Sequence, residues 1–347
     1  MKAAILQDGK ISVGDLPDPE PGPGQVLVRT RGCGLCASDA HFLCSGHTVV
    51  EKSRQFGMPY ASVDMTKPIV MGHEFVGEIV DYGPGTQRLI KPGRRVTASP
   101  IGLMGPDKSQ IAIVGYQNEF PGGFGELMVL EEPFLLEVPD DIDDPAAAII
   151  EALAVGVEHA HVGNPQPGDV PLVVGCGAIG LAVIASLKMR NIAPIVACDL
   201  DPRRRALALT MGADAVFDPR EVSTYGAMAE IGGRTPNLIY ECVGKQGIMN
   251  DIVTKAAEGA TIVIGGFCLD PEQIYVPVAQ MKSLTMKFAR GDGPEEMRIA
   301  LDAIASGKVD VRPLLGGTIG LSEVEGALLA MSDPSTPVRV VVDPSRL

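Results

Sequence analysis

The sequence predicts an α/β protein in two parts: a β-rich, partly barrel-like part and a doubly wound part built on a parallel sheet. Three observations carry that expectation. Up to about residue 150 the chain reads as short strands punctuated by glycine and proline turns, and beyond it strand-like and helix-like runs alternate. Gly175-Cys176-Gly177-Ala178-Ile179-Gly180 falls where one of those strands should end and a helix begin. Apolar strands alternating with helices imply a parallel sheet covered on both faces. At 347 residues the chain has room for two domains.

Residues 1–35 read as short strands. After the Pro-Gly-Pro-Gly turn at 21–24, Val26, Val28 and Thr30 alternate as one side of a half-buried strand does. Residues 69–81 and 94–98 repeat the pattern, with Gly77 and the Gly83-Pro84-Gly85 turn as punctuation. From His41 to Lys67 the sequence is polar and without a clear period, which predicts a loop excursion of a length usually functional or mobile. Beyond 150 the expected helices are 151–161, 179–190, 203–211, 248–257 and 294–306. The expected strands there are 171–174, 194–198, 237–241, 261–265 and 285–288. A last apolar run at 338–342 should pair back into the first part, giving domains over 1–154, 155–289 and a return over 290–347.

Composition narrows the function classes. Tryptophan is absent and aromatics are 4%, so the cores must rest on Val, Ile, Leu, Ala and Met. A net charge of −14 suits solubility and argues against nucleic-acid or anionic-membrane partners, which need a positive field. Seven cysteines at irregular spacings do not suggest a secreted disulfide framework. Met1-Lys2-Ala3-Ala4-Ile5 starts like a strand and lacks the apolar core of a signal peptide. Val170–Leu187 is free of charge but holds Pro171 and three glycines, so it reads as strand, turn and helix and not as a membrane span. A cytoplasmic location is expected.

The glycine turn carries chemistry. Gly175 permits a tight turn, Gly177 lets a pyrophosphate approach the backbone, and Gly180 lets helix and strand pack closely. Phosphates would sit on the free N–H groups of the helix start, with Ala178 and Ile179 opening that helix. Asp199 lies nineteen residues past Gly180 at the end of the next apolar strand. A carboxylate there accepts from ribose hydroxyls and repels a 2′-phosphate, which favours NAD over NADP. Arg203, Arg204 and Arg205 complicate that preference: they read as a solvated helix face or as cofactor contacts, with Arg204 the candidate contact.

Cys36, His73, Glu74 and Glu151 supply one thiolate, one imidazole and two carboxylates, a mixed set that a catalytic zinc ion accepts. Taken alone, Cys36 and His73 read equally as ligands or as ordinary buried residues, and Glu151 as a helix-terminal carboxylate. His73 and Glu74 would point to opposite faces of a regular strand, so a turn or bend must bring both to one ion.

Further motifs join these: Gly34-Leu35-Cys36-Ala37-Ser38-Asp39, Gly72-His73-Glu74, Gly93-Arg94-Arg95-Val96, Gly122-Gly123-Phe124-Gly125-Glu126, Glu151-Ala152-Leu153-Ala154-Val155 and Met211-Gly212-Ala213-Asp214. With them the chain resembles, nearly end to end, the medium-chain, zinc-dependent alcohol and polyol dehydrogenases. The resemblance implies a GroES-like catalytic domain, a Rossmann cofactor domain, and reversible oxidation of a secondary alcohol or polyol to a ketone with NAD. It carries zinc ligation to Cys36, His73 and Glu151, with Glu74 as a fourth or intermittent ligand. It also implies that Ser38 takes the alcohol proton, that His41 passes it towards solvent, and that Asp39 orients the zinc-binding imidazole. Arg290 resembles an arginine near the substrate, with an inter-domain salt bridge as the equal alternative. A homodimer or homotetramer is the family habit.

Two departures matter. The stretch 99–121 has no cysteine, where many relatives hold a second, structural zinc, so one catalytic zinc per subunit is expected. The gap from Cys36 to His73 is longer than usual in the family, and 42–67 is expected to supply the excess and to wall the substrate pocket; Cys44 and His47 within it are potential ligands. Cys33-x-x-Cys36 also reads as a redox dithiol, but it is expected to precede a loop where such motifs open a helix. His159 and His161 are expected at a helix end or surface, and Cys176, Cys198, Cys242 and Cys268 as small buried apolar residues. The rival readings are a zinc-free NADPH quinone or enoyl reductase of the same superfamily and a non-catalytic nicotinamide-binding protein.

Overall fold

The computed structural model describes residues 1–347 apart from 227, 292 and 334. It divides into two compact units, Met1–Glu151 with Leu314–Leu347, and Ala152–Pro313. The first is β-rich. Its larger sheet runs Leu135–Glu137, Arg95–Ala98, Glu74–Tyr82, Gln25–Gly34, Arg339–Val342 and Leu315–Ile319, with Leu127–Glu131 also on Gln25–Gly34. Gln25–Gly34 is the organising strand. Along one edge it pairs Glu74–Tyr82; its first half also pairs Leu127–Glu131 and its last residues pair Arg339–Val342. The C-terminal run therefore returns to the first unit as its sequence pattern requires. Aliphatic and Phe side chains such as Leu35, Met71, Phe75, Phe124, Met128 and Leu130 fill this unit's core.

The excursion expected over 42–67 is largely helical. Ala37–Phe56 is a helix with a kink at Ser45 (φ −137°), closed by Gly57 in the left-handed region at φ 68°. Its buried residues, Asp39, Phe42, Leu43, Gly46, Val49, Val50 and Ser53, step by three and four and so share one face. Two of the inward positions are Gly and Ser and one is an acid, so a scan for apolar periodicity passes over it. Only 57–68 is left as irregular chain.

The second unit carries a parallel sheet in the order Ala215–Phe217, Val196–Cys198, Pro171–Val174, Leu238–Glu241, Thr261–Ile264, Thr285–Phe288. That is the doubly wound order, with the first strand at the reversal point. Val170, Leu172, Val196, Ile239, Ile252 and Ile262 lie at the heart of its core. The helix Pro294–Ala305, expected to belong with the returning segment, lies in this unit. It buries Met297, Ala300, Leu301 and Ala303, and its Glu296 Oε1 lies 3.2 Å from His161 Nδ1. No described helix is long and apolar enough to cross a membrane.

Candidate functional site

Three strand ends converge to build the first site. Gly34 closes Gln25–Gly34 and pairs with Glu74, the first residue of the antiparallel Glu74–Tyr82, while Val341 pairs with Gly34 from the other side. Leu35 N–H donates to Val340 O at 2.9 Å, extending that register one step. Cys36, just past one strand, His73, just before the next, and Arg339 are thus delivered to one place.

Cys36 caps the helix Ala37–Phe56, and its N–H donates to Asp39 Oδ2 at 3.1 Å. His73 follows Gly72, whose φ of +99° favours glycine; a Cβ there would meet Cys33 Sγ and Phe124 at 2.7 Å. That turn places His73 outside the regular strand, which resolves how neighbouring His73 and Glu74 reach one point. Donor atoms of Cys36, His73 and Glu74 all lie within 4.8 Å of one another, the one such cluster of three or more among the described residues. Glu74 folds over Gly34, where a Cβ would come within 2.5 Å of Glu74 Oε2. Glu151, buried at the head of the helix Ile150–Gly163, is outside this tight trio, although its charge acts on Tyr60 and Arg339.

The electrostatics suit a cation. Glu74 Oε1 accepts from Arg339 Nη2 at 2.7 Å, with side-chain exposures of 0% and 3%, and Glu74 Oε2 is buried without a hydrogen-bond partner. Burial acts to lower the Arg339 pKa, yet Glu74, Cys36, Glu151 and Asp39 together hold it above its ordinary value. His73 Nδ1 lies 3.5 Å from Asp39 Oδ1, leaving Nε2 on the Ser38 side at 3.4 Å from Ser38 Oγ. Burial likewise opposes the imidazolium, but Asp39 and Cys36 more than offset it and raise the His73 pKa well above the usual range. A thiol, an imidazole and an orphaned carboxylate oxygen at this spacing fit zinc.

Sequence reasoning missed two residues here. Arg339 is one; the available signal was a single charge inside the apolar run 338–342, which a buried strand carries only if paired. Tyr116 is the other. It is buried, its ring centroid lies 5.2 Å from His73, and its hydroxyl is 2.7 Å from Asp39 Oδ1 and 2.9 Å from Ser38 Oγ. Burial, then the charges of Asp39 and Cys36, push the Tyr116 phenol well above its ordinary pKa. Phe42 and Tyr60 pack against it at 5.0 and 5.6 Å, so the stretch 42–67 does contribute aromatic side chains beside the cluster. His41, in the first turns of the same helix, is exposed.

The second site is the glycine turn. Gly175 has φ +92°, Gly177 caps the helix Ala178–Met189, and a Cβ on Gly180 would lie 1.9 Å from Gly175 O. A Cβ on Gly177 would meet nothing within 4 Å, so the protein's own packing does not demand glycine there, whereas room for a ligand does. Asp199 Oδ2 accepts from Cys176 N–H and Oδ1 from Asp201 N–H, each at 2.8 Å. Carboxylate lone pairs remain for ribose hydroxyls. Arg203 pairs with Asp201, holding that carboxyl down at about 2, and Arg205 pairs with Asp218. Arg204 Nε is buried without a hydrogen-bond partner, which sets Arg204 apart from its neighbours.

Other expectations need correction. Cys36 precedes a helix and not a loop, but Cys33 sits inside a strand, and burial pushes its thiol well up, so the pair lacks a redox dithiol's reactive member. Cys44 and His47 line a separate cavity of about 430 Å³ with Met65 and Glu325. His161 is exposed as expected, whereas His159 is buried, its Nδ1 2.6 Å from Val155 O. Cys176 and Cys198 are buried; Cys242 and Cys268 are only half-buried, because they follow strand ends. Arg290 lies in the second unit, exposed, its backbone N–H donating to Glu158 Oε1 at 3.3 Å. The lobe at 99–121 is a hairpin of Ile101–Met104 and Gln110–Ile113, tied down by Lys108 Nζ to Glu131 Oε2 at 3.0 Å.

Comparison with known proteins agrees with both halves. Residues 22–140 match the alcohol dehydrogenase GroES-like domain, and 178–306 match the zinc-binding dehydrogenase domain. The chain is 30% identical over 300 residues to (R,R)-butanediol dehydrogenase of Bacillus subtilis, covering 82% of this chain and 84% of that protein. An alcohol dehydrogenase from Escherichia coli, solved with NADH, superposes with a TM-score of 0.84 at 25% identity over 99% of both chains. A zinc-binding dehydrogenase from Sinorhizobium meliloti, solved with NADP, does so with 0.82 at 26%, again over 99% of both. The chain, with its thiolate–imidazole–carboxylate cluster and its glycine turn, thus belongs to the zinc-binding, medium-chain alcohol and polyol dehydrogenase family.

Proposed function

We propose that the protein oxidises a secondary alcohol or polyol reversibly to a ketone, with one zinc per subunit and NAD as hydride acceptor. The cluster of Cys36, His73 and Glu74 carries this reading, because a zinc-free reductase or a simple nicotinamide-binding protein has no use for it. The B. subtilis relative points the same way: two stereocentres in a butanediol can only be the secondary carbinol carbons of the 2,3-diol. When bound, zinc supplies Lewis acidity that lowers the pKa of an alcohol at its open position.

The chain's own residues do the rest. Cys36, His73 and Glu151 would hold the metal, with Glu74, which pairs with Arg339, as a fourth or intermittent ligand. Asp39 faces Nδ1 of His73, which leaves Nε2 for the ion. Ser38 accepts the alcohol proton and exposed His41 hands it to solvent. Gly175, Gly177 and Gly180, with Ala178 and Ile179, seat the pyrophosphate, and Asp199 and Arg204 hold the adenosine ribose. Arg290 is retained as a substrate contact. The deciding experiment is metal content per subunit, with NAD-linked turnover of a panel of secondary alcohols and polyols before and after chelation. About one zinc and chelator-sensitive turnover are expected; a metal-free protein indifferent to chelator defeats the proposal.

Zinc binding should strengthen with pH. In the metal-free protein the raised His73 pKa gives stability that is full below the ordinary histidine value and is lost as pH rises through the folded value. Zinc needs the neutral imidazole and so must displace that proton. The gain in Tm on adding zinc is therefore expected to be larger near pH ~8 than near pH ~6; an equal gain at both, read by calorimetry, would remove His73 from the ligand set.

Nicotinamide preference rests on Asp199, since solved neighbours carry either cofactor. A carboxylate about 6 Å from a 2′-phosphate costs roughly 3 kcal/mol at an effective dielectric of 20. Asp199→Ser is expected to move the NAD/NADP ratio of kcat/KM towards NADP on the order of 100-fold. An unmoved ratio would shift the preference elsewhere.

We also propose a homodimer or homotetramer, associating through the second unit. Thr285–Phe288 is an edge strand, and Tyr275, Val276, Met281 and Phe288 are exposed near it in the sequence. Sedimentation velocity checks this. A cytoplasmic location, with neither nucleic acid nor membrane as partner, completes the reading.

A further inference from the structure

We propose that Asp218 is a specificity-determining residue for the cofactor: it binds the Arg220 guanidinium beside the ribose-facing Asp199 and so withholds that cation from a 2′-phosphate. The inference rests on the nucleotide-binding reading of the glycine turn given above. Its basis is strand register. Val196–Cys198 and Ala215–Phe217 are parallel neighbours in which Cys198 is level with Phe217, so the acids that follow them, Asp199 and Asp218, leave the sheet side by side. Asp199 N–H donates to Phe217 O at 3.3 Å, carrying the pairing one step further. Two arginines from the segments that follow, Arg205 and Arg220, reach back to this point.

Arg205 Nη1 donates to Asp199 O at 2.7 Å, to Leu200 O at 3.1 Å and to Asp218 Oδ2 at 3.1 Å. Arg220 closes its fork on the same acid, Nε donating to Oδ1 at 2.9 Å and Nη2 to Oδ2, and Nη2 also reaches Leu200 O at 3.1 Å. The Asp218 side chain is 4% exposed, Arg205 20% and Arg220 65%. Arg205 is thus fixed beneath the turn by two carbonyls as well as by the acid. Arg220 stands in solvent, and of its three side-chain hydrogen bonds to described residues two go to Asp218. Arg220 in turn holds the Asp218 carboxyl well below the usual carboxylate range, so the acid stays charged. A 2′-phosphate is accommodated by an arginine near the ribose, bidentately where the geometry allows. Arg220 bonds the carbonyl of the residue next to Asp199, yet its fork is already shut on a carboxylate. A phosphate arriving there must break that pair and meets the charge of Asp218 in addition to that of Asp199. NAD, with a neutral hydroxyl at that place, does neither. Asp218 therefore adds to the preference set by Asp199, from a strand outside the dinucleotide motif.

The test is fluorescence titration of NADH and of NADPH into the full chain at low salt. Asp218→Asn keeps the shape of the side chain and removes its charge. It is expected to tighten NADPH by about five- to tenfold and to leave NADH within about twofold. Arg220→Ala supplies the second arm. It should cost NADPH several times more in the Asp218→Asn background than in the wild type, because only there is the guanidinium released to the phosphate. Equal changes in both nucleotides would make Asp218 a brace for the Asp199 turn and overturn the proposal. So would an unchanged NADPH affinity, or an Arg220→Ala effect of the same size in both backgrounds, which would mark a diffuse charge effect. If the wild-type protein binds neither nucleotide, the cofactor reading itself fails and this inference with it.

Discussion

Cys36→Ser is expected to abolish zinc retention and NAD-linked alcohol oxidation while leaving the fold and NADH binding in place. The reason is where each function resides. Cys36 is the one thiol in the metal cluster, and a serine hydroxyl does not ionise to replace a thiolate near neutral pH. The Lewis-acid contribution at stake is several kcal/mol, so kcat/KM should fall on the order of a thousandfold or more. The nucleotide-binding turn belongs to the second compact unit and shares none of these side chains, so NADH affinity should hold within about twofold. Metal analysis, NADH fluorescence titration and turnover on one preparation check all three. Retained zinc with retained turnover would sink the assignment. Cys33→Ser is the control: its sulfur packs where a Cβ on Gly72 or Gly123 would come within 2.7 Å, so that change should cost stability and leave zinc in place.

What the sequence disclosed and what it hid follow from the range of the interactions. Most of the parallel-sheet unit was legible, although the edge strand Ala215–Phe217 and the helix Val276–Met281 were not expected. Pro171–Val174 and Thr285–Phe288 fall where expected, and its helices are displaced by one or two positions, because each element declares itself through local periodicity. The glycine turn was equally readable, since each glycine answers a local demand. The helix Ala37–Phe56 was hidden because its inward face includes Asp39, Gly46 and Ser53, so burial there follows the site and not hydrophobicity. Cys36, His73 and Glu74 were found through motif and resemblance, but their convergence depends on strand register, to which no local signal points. Tyr116 was missed for the same reason, lying 77 residues from the partner it serves; the lone charge of Arg339 in an apolar run says that it is paired, but its partner lies 265 residues away.

Arg339→Met should destabilise the metal-free protein far more than the zinc-loaded one. Arg339 and Glu74 form a pair with exposures of 3% and 0%, and removing the guanidinium leaves a buried carboxylate without its hydrogen-bonded counter-charge. Breaking such a buried pair costs about 3–5 kcal/mol, whereas replacing both charges is often close to neutral. Arg339→Met with Glu74→Gln is therefore expected to recover most of the loss, a non-additivity that thermal melts in chelator can read. Zinc changes the balance, because Glu74 already carries one buried oxygen without a partner beside Cys36 and His73. With Arg339 gone, that carboxylate loses its guanidinium partner and is left to the metal, so Glu74 should move from intermittent to permanent ligand. Zinc should then bind the variant more tightly than the wild type, since a ligand that binds only the folded state stabilises it in proportion to its affinity. Turnover should fall at the same time, because a permanent Glu74 fills the position an alcohol must enter. Tighter zinc with slower turnover would identify Arg339 as the residue that keeps the fourth position open. If the metal-free melt is unchanged by Arg339→Met, the buried pair is not what holds Glu74 in place.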